Sequence, residues 1–140
     1  METLRSRSLA WLLGGLLLAG CGGDDDRPQL GTVTGTVAMD GKPLPNVWVM
    51  FNPTSGRTSM GRTNENGEYE LMYLEGTKGA NLGSHKVVVL TYNEDELYEL
   101  QAAANEPIKE PIPAKYNSQT TLTKEVKEGE NVIHFHLESK

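Results

Sequence analysis

The sequence predicts an all-β fold, a seven-stranded Greek-key β-sandwich with a helical or irregular insertion near residues 93–114. Three observations lead there. Short runs rich in Val, Thr, Tyr and Phe recur from Gly31 onward. Asp-Gly, Asn-Gly and isolated Gly signals separate most of them. One acidic, Pro-containing stretch interrupts the series, and seven runs with mostly short connections fit two packed sheets.

The first run, Gly31-Thr-Val-Thr-Gly-Thr-Val-Ala38, alternates, so Val33, Val37 and Met39 share one face and the threonines the other. Asp40-Gly41 marks a tight turn. Pro43 and Pro45 exclude helix and favour extended backbone leading into the next strand. Val47-Trp-Val-Met-Phe51 is apolar on both faces, as in a central strand covered on both sides, and Trp48 is read as core rather than as a sugar platform. Asn52-Pro-Thr-Ser-Gly56 ends it.

Thr58 to Thr63 reads as a weaker strand and Asn64-Glu-Asn-Gly67 as a hairpin turn. In Glu68 to Leu74, Tyr69, Leu71 and Tyr73 point inward and Glu68 and Glu70 outward. Glu75 to Ser84 reads as a Gly-rich loop, and His85 to Tyr92 is the strongest strand. Thr120 to Val126 and Asn131 to Leu137 form a final pair joined by Lys127-Glu-Gly-Glu130. Within the insertion, Glu94 to Ala104 consists of good helix formers, with Leu97, Leu100 and Ala104 spaced three and four apart. Pro107 to Pro113 cannot continue a helix, so the segment is an acidic, helical or partly disordered excursion returning through Pro113-Ala-Lys-Tyr116. Such an insertion is either a grafted binding element or a solvated loop.

A chain of 140 residues holds one small domain beside a targeting segment. Its formal charge of −6 excludes the basic footprint that nucleic acid requires. Setting aside residues 1–20 removes Arg5, Arg7 and Glu2 and leaves 11 basic against 18 acidic residues, a net of −7. Such a domain is not drawn to anionic lipid either, so membrane attachment has to come from elsewhere. The chain has one cysteine and hence no internal disulfide.

That cysteine follows a telling segment. Two arginines precede the apolar run from Leu9 to Gly20, the layout of a secretory signal peptide. The run is too short for a bilayer span, which needs ~20 apolar residues. Leu18-Ala19-Gly20-Cys21 resembles the bacterial lipobox. The resemblance implies cleavage before Cys21, a diacylglyceryl group on its thiol and usually a further acyl chain on the freed amine. Several chains at ~0.8 kcal/mol per buried CH₂ make a stable anchor. The domain division is then a signal peptide over 1–20, a lipidated Cys and flexible acidic tether over 21–30, and the sandwich over 31–140. Asp24 to Asp26 read as a spacer rather than a Ca²⁺ cage. Gly22 stands where an Asp favours inner-membrane retention in some lipoproteins, so the resemblance points to the outer membrane, facing the periplasm or the surface.

A second resemblance covers nearly all the rest. Gly35-Thr-Val-Ala-Met-Asp-Gly-Lys-Pro-Leu-Pro-Asn-Val-Trp-Val-Met-Phe51, Thr63-Asn-Glu-Asn-Gly-Glu-Tyr-Glu-Leu71 and Gly83-Ser-His-Lys-Val-Val-Val89 are similar to carboxypeptidase regulatory-like, or transthyretin-like, β-sandwich domains. Ile112-Pro-Ala-Lys-Tyr116 and Glu128-Gly-Glu-Asn-Val132 resemble small planctomycete-type lipoproteins carrying that module. The resemblance implies fold and location rather than activity. The related purine-pathway hydrolases use His and Arg residues and a C-terminal Tyr-Arg-Gly-Ser, where this chain has Leu137-Glu-Ser-Lys140.

Candidate chemistry is sparse. His134 and His136, two apart on a strand, share a face opposite Ile133, Phe135 and Leu137, and His85 is a conceivable third metal ligand. Solvated surface histidines are the plainer reading. Ser59, Ser84 and Ser118 lack a nucleophile-elbow setting. Glu94-Asp-Glu96 suits acid/base work only if buried. Gly76 to Gly83 precedes a strand, the wrong order for a phosphate loop. The expected function is that of a non-catalytic, membrane-anchored lipoprotein without a cofactor, serving as an envelope structural or protein-binding module. A carbohydrate-binding module using Tyr92, Tyr98 or Tyr116 is the alternative, and a metal-dependent enzyme built on the histidines comes third.

Overall fold

A computed structural model describes residues 27–140, so the expectations for the signal peptide, Leu18, Ala19, Gly20, Cys21 and the Asp run lie outside the described residues. Strand is the commonest element of the described chain, arranged in two six-stranded sheets. The first is organised on β1 (Leu30–Met39). One edge of β1 takes three short antiparallel partners: β2 (Lys42–Pro43), β5 (Glu68–Glu70) and β8 (Ala80–Asn81). The other edge takes β11 (Gly129–Val132) and β12 (Phe135–Leu137), both parallel to it.

The second sheet has the order β10-β9-β3-β4-β6-β7. Its members are β3 (Trp48–Pro53), β4 (Ser59–Arg62), β6 (Met72–Leu74), β7 (Thr77–Lys78), β9 (Gly83–Leu90) and β10 (Thr123–Val126). The two sheets enclose a core of Val33 and Val37, Val49 and Phe51, Val87 and Val89, Tyr69 and Leu71, with Phe135 and Leu137. Phe135 packs edge-on to Phe51, with ring centroids 6.2 Å apart. Asp40 and Gly41 both have positive φ, 51° and 80°, as the tight turn between β1 and β2 requires.

Three expectations need correction. Glu68 to Leu74 is not one strand: β5 pairs with β1, the fully buried Leu71 marks the crossing, and β6 pairs with β4 in the other sheet. The segment Glu75 to Ser84 is not an open loop, because β7 folds back on β6 and β8 reaches β1. The last two runs are not a hairpin. β10 pairs with β9, and Lys127-Glu128 carries the chain over to the first sheet.

The join between β11 and β12 is the most constrained point. At Ile133-His134 the strand breaks opposite Gly35. A Cβ on Gly35 would collide with the Ile133 carbonyl. That carbonyl accepts from the Tyr69 hydroxyl at 2.7 Å, and Ile133 N–H donates to Thr34 at 2.8 Å. The Thr36 N–H is taken up by His134 Nδ1 at 3.1 Å. Burial pushes the Tyr69 phenol well above its ordinary pKa, so it remains a donor across the working pH range.

Strand directions define two poles. β1 starts beside Ala80, Asn81 and Gly129, with the Gly56 turn close by. It runs toward the Asp40-Gly41 turn. There Val37 N–H bonds Gly67 and Asn46 N–H bonds Thr63, and the single α-helix of the described residues docks at that same pole.

The Gly35→Ala protein should be less stable by ~3 kcal/mol, because backbone must move to admit one methyl. Chemical denaturation measures this. A loss under ~0.5 kcal/mol would show that the β11–β12 join yields freely.

Candidate functional site

Asn93 carries the cap that starts α1 (Glu94–Ala104). Its side chain accepts from Glu96 N–H at 2.8 Å, and the Glu96 carboxylate accepts from Asn93 N–H at 3.2 Å, a reciprocal capping box. The insertion is therefore helical in its first half. The acidic first turn, Glu94 to Glu96, suits the positive end of the helix dipole.

Glu96 does more than cap. Trp48 Nε1–H donates to its Oε2 at 3.0 Å, and Arg62 donates to its Oε1 at 2.6 Å. Trp48 and Arg62 are direct cross-strand partners in β3 and β4, so both side chains stand on one face. The guanidinium lies 5.1 Å from the Trp48 ring centroid, within cation–π range. Trp48 is thus half-buried on the outer face beneath α1, which corrects its assignment to the core.

The helix has no buried residue. It is held through this carboxylate and through apolar contact on one side, and it leaves Tyr98 76% exposed. A strap running back from the helix is fixed at Glu110, whose carboxylate accepts from Thr91 N–H at 2.9 Å and from Ile112 N–H at 3.1 Å. Ile112 inserts into the core. Between α1, the strap and the sheet lies a groove of about 430 Å³ floored by Met50, Val88 and Leu90 and walled by Leu97 and Tyr92.

The histidines do not assemble. His85 is buried among the core residues, its ring 5.5 Å from Phe51, and donates from Nε2 to Asn81 O at 2.6 Å. It cannot join His134 and His136, which are exposed. A backbone N–H only donates, so His134 Nδ1 is the acceptor for Thr36 and its proton sits on Nε2. His134 lines a depression of about 580 Å³ with Thr34, Glu68 and Glu70. His136 lines a different one beside Asp40. No three His, Cys, Asp or Glu side chains among the described residues are grouped to hold a metal.

Ser59 Oγ and His85 Nδ1 are buried without hydrogen-bond partners, so these two do not form a nucleophile–base pair. Of the tyrosines proposed as sugar platforms, Tyr116 is engaged: Lys115 lies over its ring and its hydroxyl accepts from Glu138 N–H at 2.8 Å. Tyr92 is half-buried in the groove, and Tyr98 alone stands free. The residue that sequence reasoning undervalued is Glu96. Its spacing from Asn93 was a capping signal, whereas its reach to Trp48 and Arg62 depends on how the excursion folds back.

No known family and no curated protein matches this chain. A structural comparison pairs it with the crystal structure of a 9R-lipoxygenase from Cyanothece PCC8801 at 19% identity and a TM-score of 0.31. The pairing covers 77% of this chain and 17% of that one.

Partial desolvation pushes the Glu96 carboxyl up, but hydrogen bonds from Trp48 and Asn93 and the Arg62 charge outweigh it and hold it below the usual range. A depressed carboxylate stabilises the folded state above its unfolded pKa, and that contribution is lost as pH falls through the folded value. The helix should therefore stay latched near neutral pH and loosen only in acid. In the full chain carrying Trp11→Phe, Trp48 emission should shift below the ordinary Glu range. With Glu96→Gln added, that acid step should be absent. A step of equal size in both proteins would assign it to another group.

Proposed function

We propose that this chain is a lipid-anchored protein of a bacterial cell envelope, held through Cys21, whose β-sandwich is a non-catalytic structural or protein-binding module. The observation that carries this reading is the lone cysteine placed directly after Leu18-Ala19-Gly20, behind a basic flank and a short apolar run. With Gly22 next to it, the proposed destination is the outer membrane.

We also propose that the module is a variant of the carboxypeptidase regulatory-like, seven-stranded Greek-key sandwich. Counting β5–β6 and β11–β12 as one broken strand each, and setting aside the two-residue strands β2, β7 and β8, leaves seven long elements. This grouping supports the assignment, as do the Asp40-Gly41 and Asn64 to Gly67 turns that its sequence pattern contains. The binding role is supported by the excursion itself. No residue of α1 is buried, yet its first turn is capped and is paired with the stacked Trp48 and Arg62 side chains. An anchor at the start of β1 suits such a role, since it leaves the α1 pole at the far end from the lipid.

Cells expressing the chain and fed an alkyne analogue of palmitate should label the wild type and leave Cys21→Ala unlabelled. The wild type should partition with membranes and Cys21→Ala with the soluble envelope fraction. Equal incorporation in both proteins would overturn the anchor.

A further inference from the structure

We infer that the groove between α1, the strap and the outer face of β3 and β9 is a docking site for a short protein segment that places an aliphatic side chain beside a lysine or arginine. The inference deepens the protein-binding reading above and rests on it. The outer face of an antiparallel sheet is ordinarily polar. Here Met50 on β3 and Val88 and Leu90 on β9 occupy that face, and all three are half-buried. α1 does not finish covering them. It contributes Leu97 to one wall, buries no residue of its own and leaves Tyr98 and Leu100 exposed. The floor is therefore apolar and incompletely occupied.

The rim sets the sign of the occupant. Glu94 and Glu110 line the groove, and no lysine or arginine does. Glu110 is fixed as a carboxylate acceptor for two backbone N–H groups. Glu94 is exposed in the first turn of α1 and has no ion-pair partner among the described residues. The Asn117 side chain, also on the rim, donates to the carbonyls of Val89, Ile112 and Pro113 and accepts from Ser118 N–H. The rim amide is thus spoken for and rigid, and Glu94 is the group left to answer a charge. An apolar floor with one free carboxylate beside it fits an aliphatic side chain flanked by a cation, and it opposes an anionic segment.

Two capped pentapeptides, acetyl-Gly-Lys-Leu-Lys-Gly-amide and acetyl-Gly-Glu-Leu-Glu-Gly-amide, test this by titration into the full chain with methyl NMR readout. The basic peptide should give saturable shifts at Met50, Val88, Leu90 and Leu97, and the acidic peptide should not. Glu94→Lys, checked for retained helix by circular dichroism, should weaken the basic peptide several-fold and flatten its salt dependence. Binding that is unsaturable, equal for both peptides, or indifferent to Glu94→Lys would overturn the inference. Neither arm involves Cys21, so a silent titration leaves the anchor standing and failed lipid labelling leaves the groove standing.

Discussion

Two edges of one strand carry the first sheet. β1 is its only long member, and five short strands are aligned by pairing to it and, for the most part, not to one another. Its middle has to admit the Ile133 carbonyl, which is possible only because Gly35 has no side chain. Everything around that contact follows from it. The carbonyl pushed inward needs a donor, and Tyr69 reaches across from β5 to supply one. The N–H left over on Thr36 needs an acceptor, and the His134 ring takes the place of a backbone oxygen. A break in a strand would ordinarily leave polar groups unpaired. Here two side chains, Tyr69 from β5 and His134 from the break itself, satisfy them, so the kink is specified rather than tolerated.

The second sheet depends on β3 and β9, whose six paired positions lie at its centre. Its inner face is ordinary core. Its outer face is divided, with Asn52 and Lys86 toward one pole and Trp48, Met50, Val88 and Leu90 toward the other. The helix sits over the apolar half. Its attachment concentrates on Glu96, which caps the helix, accepts from an indole and pairs with a guanidinium. Exposed ion pairs by themselves contribute little. A carboxylate that also closes a capping box and receives a stacked Trp–Arg pair fixes the orientation of a helix that has no core contacts of its own.

Much of this was legible in the chain. Alternation named Val33, Val37, Tyr69, Leu71, Phe135 and Leu137 as inward residues, and the Asp-Gly pair located a turn with two positive φ angles. The errors share a cause. A period of two says which face a residue takes and nothing about which strand lies beside it. The sheet crossing at Leu71, the parallel pairing of the last strands with the first, and the small strands within Gly-rich stretches are all long-range choices. Trp48 and His85 were misjudged the same way. An apolar run hides which of its faces a later excursion will cover, and a histidine in a strand can serve as core when its ring packs on Phe51 and one nitrogen finds a carbonyl.

The parallel seam has a consequence in time. Thr36 finds its acceptor 98 residues further along the chain, and β1 finds β11 and β12 at similar separations. While these residues are being synthesised in order, the strand that organises the first sheet has one edge with no partner until nearly all of the domain exists. Closing so long a loop comes late and slowly. That edge of the first sheet therefore closes last, once the final strands have arrived.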